Sequence, residues 1–321
     1  MSVPMSVPLA EARRYLISEL RNAQIENPFQ EADLILARLL NFSRAAILGH
    51  PETILTCPQM LSIKKAVKRR VKREPLQYIL GETCFYGRSF ETRKGALIPR
   101  PETELLVELA LEFFPADAAF DFLDWGTGSG CIGITLLLER FRAKGILAEK
   151  NPESLILAWN NLSRHRLFER SLLWHSRNPD DIPVPRGALD LVLSNPPYIP
   201  RPVIPGLMRD VRDYEPRMAL DGGPDGLDYY RLLFHYAPLR LKPGGYLLFE
   251  IGNAEQSDSL KKMTPPSLEF VKEVRDYAHI PRCLAWKRNF QDSQYSGGRS
   301  SFGRFAVLTG PPEAPCRLPG R

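Results

Sequence analysis

The sequence predicts an α/β protein with a doubly wound, mostly parallel sheet, preceded by a small helical bundle. Three observations carry this expectation. From Pro101 onward, helix-like and strand-like segments alternate. Before about residue 75, apolar residues recur at helical spacing and period-two alternation is scarce. The apolar run DFLDWG opens directly into glycines before a helix-like segment, the strand–turn–helix order of open parallel sheets. At 321 residues, with 44% of them hydrophobic, the chain is long enough for two cored domains.

In chain order, the duplicated MSVP reads as a disordered start, followed by the helices EARRYLISELRNA and FQEADLILARLLN. KKAVKRRVKR, Lys64 to Arg73, carries seven cations, and Ile63, Val67 and Val71 at i, i+4, i+8 give it an apolar stripe. Its cations, among them Lys68, Arg69, Arg70, Lys72 and Arg73, read as a solvated helix face or as a docking surface for an RNA-bearing partner. TCFYGRSFETRKGALIP, with aromatics around a central glycine, reads as a hairpin.

Next come the helix ETELLVELALEFF, the strand FDFLDWG, the helix CIGITLLLERF, the strand GILAE and the helix PESLILAWNNLS. LDLVLSN and GYLLFEIG are strands on either side of the helix LDYYRLLFHYAPLRL. Past Arg288 the tail is rich in Gly, Ser, Pro and Arg and is expected to be disordered. The expected divisions are a helical domain at 1–82, a hairpin linker at 83–100, the α/β domain at 101–288 and the tail at 289–321.

A net charge of +6 permits a nucleic-acid or ribonucleoprotein partner without requiring one. The five cysteines, Cys57, Cys84, Cys131, Cys283 and Cys316, are scattered and never in C-x-x-C spacing, which suggests neither a disulfide framework nor a zinc site. No stretch approaches the roughly 18 apolar residues of a membrane helix. The first residues lack the pattern of a secretion signal, so a cytoplasmic protein is expected.

Two stretches carry chemistry. In DFLDWGTGSGCIG, Gly126, Gly128 and Gly130 permit a tight turn and close ligand approach, and backbone amides at the helix start can meet a polar ligand group. Glu149 ends the next strand, 19 residues beyond Gly130, where a carboxylate can accept both hydroxyls of a ribose. GSGCIG also satisfies the G-x-G-x-x-G dinucleotide pattern, so the loop alone leaves the nucleotide cofactor open.

In LVLSNPPYIP, two prolines stop a buried strand and impose a rigid exit with carbonyl acceptors and no amide donors. Strand punctuation is one reading; an acceptor pair is the other. The Asn195 side-chain oxygen and the Pro196 carbonyl can bind the hydrogens of a planar NH₂ and stabilise positive charge developing on its nitrogen. Tyr198 can pack over such a group. None of the five histidines sits in a suggestive cluster, and no general base stands out.

The glycine loop, the acid and NPPY together resemble S-adenosylmethionine-dependent methyltransferases that modify planar nitrogen groups, with a Rossmann-like sheet. Over residues 10–288 the likeness is narrower. REPLQYILGETCFYG, LIPRPETELLVE, DWGTGSG, NPPYIP, DYEPRMALDGGPDGLDYYR, LKPGGYLLFEIG and VRDYAHIPRCLAW follow in order the pattern of the peptide chain release factor glutamine methyltransferases. That resemblance implies methyl transfer to the side-chain amide nitrogen of the glutamine in a release factor's Gly-Gly-Gln motif, and an N-terminal helical domain that helps to hold the substrate.

Carried over, it implies cofactor binding by Gly126, Thr127, Gly128, Ser129, Gly130, Glu149 and Asn195. Glutamine binding falls to Asn195, Pro196, Pro197 and Tyr198, with Asn195, Pro196 and Tyr198 as the catalytic set. Arg100, Pro101 and Glu102 match a segment bordering the family's site, with a structural charge pair an equal reading for Arg100. The family usually has Asp where Glu149 stands. Its adenine-side acid has no clear counterpart in LLWHSRNPDDIPVP, where Asp180 and Ser176 are both candidates.

Three alternatives stay open: a DNA adenine-amino methyltransferase, since adenine N6 is also a conjugated NH₂; a ribosomal-protein glutamine methyltransferase; and a non-catalytic RNA- or ribosome-binding protein. The expected partner is a release factor, engaged by a monomer with no membrane and no direct nucleic acid required.

Overall fold

The structure, a computed structural model, describes residues 6–290. The first MSVP copy and the expected disordered tail from residue 291 onward lie outside the described residues. Among the described residues, one unit comprises Ser6–Thr83 together with Thr92–Lys94 and Leu207–Tyr214; the other comprises Cys84–Glu91, Gly95–Gly206 and Glu215–Phe290.

In the first unit Ser6–Pro8 of the second MSVP copy is ordered, contrary to expectation. Ser6–Pro8 forms strand β1, antiparallel to β2 (Ile54–Thr56), with Val7 opposite Leu55. Both of those side chains are buried, so ladder bonds and apolar burial hold the segment. Helices α1 (Leu9–Asn22), α2 (Pro28–Leu40), α3 (Arg44–Gly49), α4 (Cys57–Val71) and α5 (Leu76–Leu80) follow. Leu16 and Leu20 of α1, Ile35 and Leu36 of α2 and Ile63 and Val67 of α4 share one core.

The basic run corrects a second expectation. Ile63 and Val67 are buried, but Val71 is exposed, and the inward row of α4 ends instead in Arg70. The Arg70 guanidinium donates to Glu31 at 2.6 Å, to Asp210 at 2.7 Å and to the Glu74 carbonyl at 3.1 Å. Arg69 pairs with Glu74, and Arg73 donates to the carbonyls of Ala23 and Gln24. These three cations are structural; Lys64, Lys65, Lys68 and Lys72 form the exposed face. Asp210 sits on the short helix Arg209–Arg212, and Tyr214 Oη donates to the Lys72 carbonyl at 2.7 Å. Leu207–Tyr214 thus belongs with the helical unit, although the sequence places it inside the 101–288 domain.

Strands β3 (Glu82–Phe85) and β4 (Arg88–Glu91) form the expected two-stranded ribbon. Its two-residue turn takes positive φ at Tyr86 and Gly87, the geometry that suits strand twist. Then come α6 (Glu104–Phe113), β5 (Asp121–Trp125), α7 (Cys131–Glu139), β6 (Lys144–Glu149), α8 (Pro152–His165), β7 (Ser171–His175) and β8 (Leu189–Ser194). The helix Asp228–Arg240 leads into β9 (Leu241–Glu250), and the helix Ala254–Lys262 into β10 (Leu268–Arg275) and β11 (Pro281–Arg288).

The sheet has seven strands in the order β10-β11-β9-β8-β5-β6-β7. Strands β7, β6, β5, β8 and β9 are parallel neighbours, and β11 and β10 add an antiparallel edge. Successive residues of β5 face opposite sides: Phe122 joins the core under α6 and α7, while Leu123 and Trp125 join the core under the helix Asp228–Arg240. The chain leaves β5 toward β6 on one side and later enters β8 on the other. This makes the β5/β8 boundary the point where loops diverge and open a crevice. Among the described residues no helix is long and apolar enough to cross a membrane.

Candidate active site

The loop after β5 is built from its own neighbourhood. Gly126, Gly128 and Gly130 all take positive φ, so the turn requires glycine. The amides of Gly126 and Thr127 donate to the Ala148 carbonyl at 2.8 and 3.0 Å, and Gly130 N donates to the Thr127 carbonyl at 2.8 Å. Beneath the loop lies Asp124, fully buried, accepting from Thr127 Oγ1 at 2.5 Å and from Gly133 N at 3.0 Å. Burial pushes its carboxyl up to about 7, against the opposing pull of those two donors.

Glu149, at the end of β6, meets the loop from the side. Gly128 N donates to its Oε2 at 2.8 Å, while Lys150 N and Asn151 N donate to Oε1 at 2.8 and 2.7 Å. Burial raises its pKa above the ordinary carboxylate value, and the three amides work in the other direction. Three of about four acceptor positions are therefore used within the protein, leaving one on Oε2 rather than a pair.

The exit after β8 is held differently. Ser194 Oγ donates to the Trp125 carbonyl at 2.6 Å, tying the ends of the two adjacent strands. Asn195 Nδ2 donates to Thr103 Oγ1 at 3.2 Å. Glu250 closes β9, is 2% exposed and carries a buried Oε2 that no hydrogen bond reaches. Burial first, then Glu102, pushes its carboxyl up to about 7.

The Tyr198 carbonyl accepts from Gln256 Nε2 at 2.7 Å. Ile199 N donates to the Leu220 carbonyl at 3.0 Å and Gly222 N to the Ile199 carbonyl at 2.9 Å, so the DGG segment runs beside the exit. A Cβ on Gly222 would stand 2.8 Å from the Pro197 carbonyl oxygen, which restricts that position to glycine.

Both loops wall one open cleft. Of the residues expected from sequence, Gly126, Gly128, Glu149, Asn195 and Pro197 line it. Thr127 and Ser129 are buried and build the loop: Thr127 bonds to Asp124, and the Ser129 carbonyl accepts from Asn161 Nδ2 at 2.9 Å. Gly130 serves the loop as well, since a Cβ there would meet Ile134 Cδ1 at 2.8 Å. Pro196 is buried. Tyr198 lies outside the cleft lining, its ring against Gly252 and its hydroxyl pKa raised by burial.

Neither adenine-side candidate reaches the cleft. Ser176 turns inward to the Asn178 carbonyl, and Asp180 is exposed beside Arg240 at 3.6 Å. Arg100 forms the charge pair that was one of its two readings, with buried Glu215.

Sequence reasoning missed Thr103, Glu250, Gln256 and Asp124, and also the cleft walls Leu97 and Tyr229. A signal existed for the two acids: each is a carboxylate near the end of an apolar strand run, FLDW and YLLFE. Nothing local distinguishes Thr103 or Gln256.

Two family models match the chain: the PrmC N-terminal domain over residues 11–81 and the methyltransferase small domain over residues 103–201. A release factor glutamine methyltransferase of Nitratidesulfovibrio vulgaris is 37% identical over 278 residues, covering 86% of this chain and 94% of that protein. One from Caulobacter vibrioides is 38% identical over 286 residues, covering 89% and 98%. A methyltransferase structure from Pyrococcus furiosus aligns with a TM-score of 0.48 at 19% identity, over 64% of this chain and 91% of that one.

Proposed function

The chain belongs to the release factor glutamine methyltransferases, and we propose that its cleft holds S-adenosylmethionine between the glycine loop and the Asn195 exit. The methyl acceptor is the side-chain amide nitrogen of the glutamine in a release factor's Gly-Gly-Gln motif. The observation that carries the reading is that Glu149 and Asn195, from different strands, line the same cleft.

The residues present fit the cofactor. At Gly128 a Cβ would meet nothing closer than 4.0 Å, so the loop leaves room where a side chain would intrude. The remaining acceptor position of Glu149 suits a ribose hydroxyl, and Trp125, Leu97 and Tyr229 supply apolar wall. When bound, S-adenosylmethionine supplies an electrophilic methyl on a positively charged sulfur.

The chain's own task is to hold and activate a poor nucleophile, because an amide lone pair is delocalised into its carbonyl. Asn195 Oδ1 accepts one N–H of the glutamine and the Pro196 carbonyl accepts the other, which favours a nitrogen that is gaining positive charge. Pro196 and Pro197 fix the direction of that carbonyl through their locked φ. We assign Tyr198 to bracing the exit rather than facing the amide, and Thr127, Ser129 and Gly130 to shaping the loop.

Residues 1–82 are assigned to docking the release factor, with Lys64, Lys65, Lys68 and Lys72 as the available cations. Residues 83–100 link the domains, and 101–288 carry the chemistry apart from Leu207–Tyr214. We place the activity in the cytoplasm, on a monomer that requires no nucleic acid.

The test is to incubate the protein with labelled S-adenosylmethionine and, separately, release factor, ribosomal proteins and duplex DNA, then locate the label by mass spectrometry. Label on one glutamine of the release factor is expected. Label on adenine or on a ribosomal protein instead overturns the substrate assignment. Asn195→Ala is expected to slow single-turnover transfer at saturating cofactor by about 10²-fold or more.

A further inference from the structure

We propose that Asn151 and Ser154 are positioning residues for the cofactor: they pin the Gly95 carbonyl and so hold residues 95–100, with Leu97, as a wall of the cleft. The inference rests on the reading that this cleft holds S-adenosylmethionine. Leu97, Asn151 and Ser154 all line it together with Glu149.

The pin is one backbone oxygen with both lone pairs in use. Asn151 Nδ2 donates to the Gly95 carbonyl at 2.6 Å, and Ser154 Oγ donates to the same oxygen at 2.8 Å. Asn151 caps α8 and Ser154 stands in its first turn, so both donors converge from the start of one helix. The Asn151 carboxamide is oriented by partners that can act in only one way. A carbonyl only accepts, which takes the Nδ2 side, and the Glu153 amide only donates, to Oδ1 at 3.1 Å.

Gly95 is fitted to this place. Its φ is +106, and a Cβ there would collide with Glu153 Oε2 and stand 3.0 Å from Glu153 Cβ, so glycine is needed to bring the carbonyl this close to α8. Beyond it burial alternates: Ala96 and Ile98 are buried, and half-buried Leu97 between them lines the cleft. The far end is tied by the ion pair of Arg100 with buried Glu215. A stretch fixed at both ends presents Leu97 in one place. Held only at Arg100, it would have to be ordered when the cofactor binds, at a cost to affinity.

The experiment compares Ser154→Ala, which removes one donor, with Asn151→Asp, which still caps α8 but turns a carboxylate oxygen toward the Gly95 carbonyl. Cofactor affinity by calorimetry, KM for S-adenosylmethionine and kcat are measured in the full chain, and hydrogen exchange over residues 95–100 is followed without cofactor. Binding is expected to weaken about three- to tenfold in Ser154→Ala and about 10- to 30-fold in Asn151→Asp. KM should rise in step, with kcat within about threefold of the parent. Exchange over 95–100 should quicken about tenfold or more in both variants, while α8 keeps parental protection. In a Leu97→Ala background, Ser154→Ala should weaken binding by no more than about a further twofold, because its effect passes through the missing side chain.

Parental affinity and exchange in both variants overturn the pin. Weaker binding with parental exchange over 95–100 overturns it too, since Asn151 and Ser154 would then act on the cofactor directly, and so does full additivity with Leu97→Ala. A parent chain that binds no S-adenosylmethionine overturns instead the cofactor reading beneath it.

Discussion

The two loops that wall the cleft leave adjacent strands, yet they are secured by opposite means. Under the glycine loop the buried acid is Asp124, whose partners Thr127 and Gly133 lie three and nine residues along the chain. The NPPY exit is held from further away: Asn195 donates to Thr103, 92 residues from it, and the Tyr198 carbonyl accepts from Gln256. The first loop is shaped by positive-φ glycines and its own amides. The second is an assembly of side chains from separate elements, in which prolines fix the backbone. Binding and chemistry should therefore be separable by mutation.

The largest expected effect falls on the local loop. Gly128→Val puts a β-branched side chain at φ +58 and into the cleft. Cofactor affinity is expected to fall by about 10²-fold or more in calorimetry, in a protein whose far-ultraviolet circular dichroism is unchanged. Parental affinity would break the assignment of this loop to the cofactor.

The complementary variant is Gly222→Ala, whose Cβ would stand 2.8 Å from the Pro197 carbonyl oxygen and 2.9 Å from Gly226 Cα. Backbone must shift there, so the rate of transfer should drop by roughly tenfold or more while calorimetry returns a near-parental cofactor affinity. Equal losses in rate and affinity would show that the two loops are not separable.

A smaller effect distinguishes the two acids by pH. Each carboxyl is pushed up to about 7, mainly by burial. Between the ordinary carboxylate value and 7, the folded chain holds protons that the unfolded chain has released. Stability contributed by these groups is therefore greatest at acid pH, falls as pH rises toward 7 and levels off above it. The decline is on the order of 3 kcal/mol for each acid. Denaturant midpoints at pH 5 to 8 should fall less steeply in Asp124→Asn and in Glu250→Gln than in the parent. A parental slope in both variants would mean that neither acid retains its proton on folding.

The same contrast governs what could be read from the residues in order. DFLDWGTGSG was legible because Asp124 finds Thr127 and Gly133 close along the chain and glycine at positive φ leaves a compositional trace. The parallel strands β5, β6, β8 and β9 were legible as apolar runs. The edge strands β10 and β11 were not singled out: KEVR of β10 and RCLAWKR of β11 mix charged and apolar residues without a clear period. In α4 the cationic run hid Arg70, because spacing marks where a side chain points but not that Glu31 and Asp210 wait there to neutralise it. Ser6–Pro8 of the second MSVP copy looked unstructured for lack of length, and it became a strand only by pairing with Ile54–Thr56.

Residue types and short spacings supplied the motifs that carry the family resemblance: a glycine turn, an acid one strand later and a double proline after a buried strand are local features, each set by φ, chirality and the reach of a side chain. Which of these residues face the cleft was settled by packing. Glu149 and Asn195 meet only because β6 and β8 flank β5, and Asn195 Nδ2 finds its acceptor only because the turn before α6 brings Thr103 to it. A hydrogen bond between residues far apart in the chain depends on the fold that joins them, and no pattern within either segment encodes it.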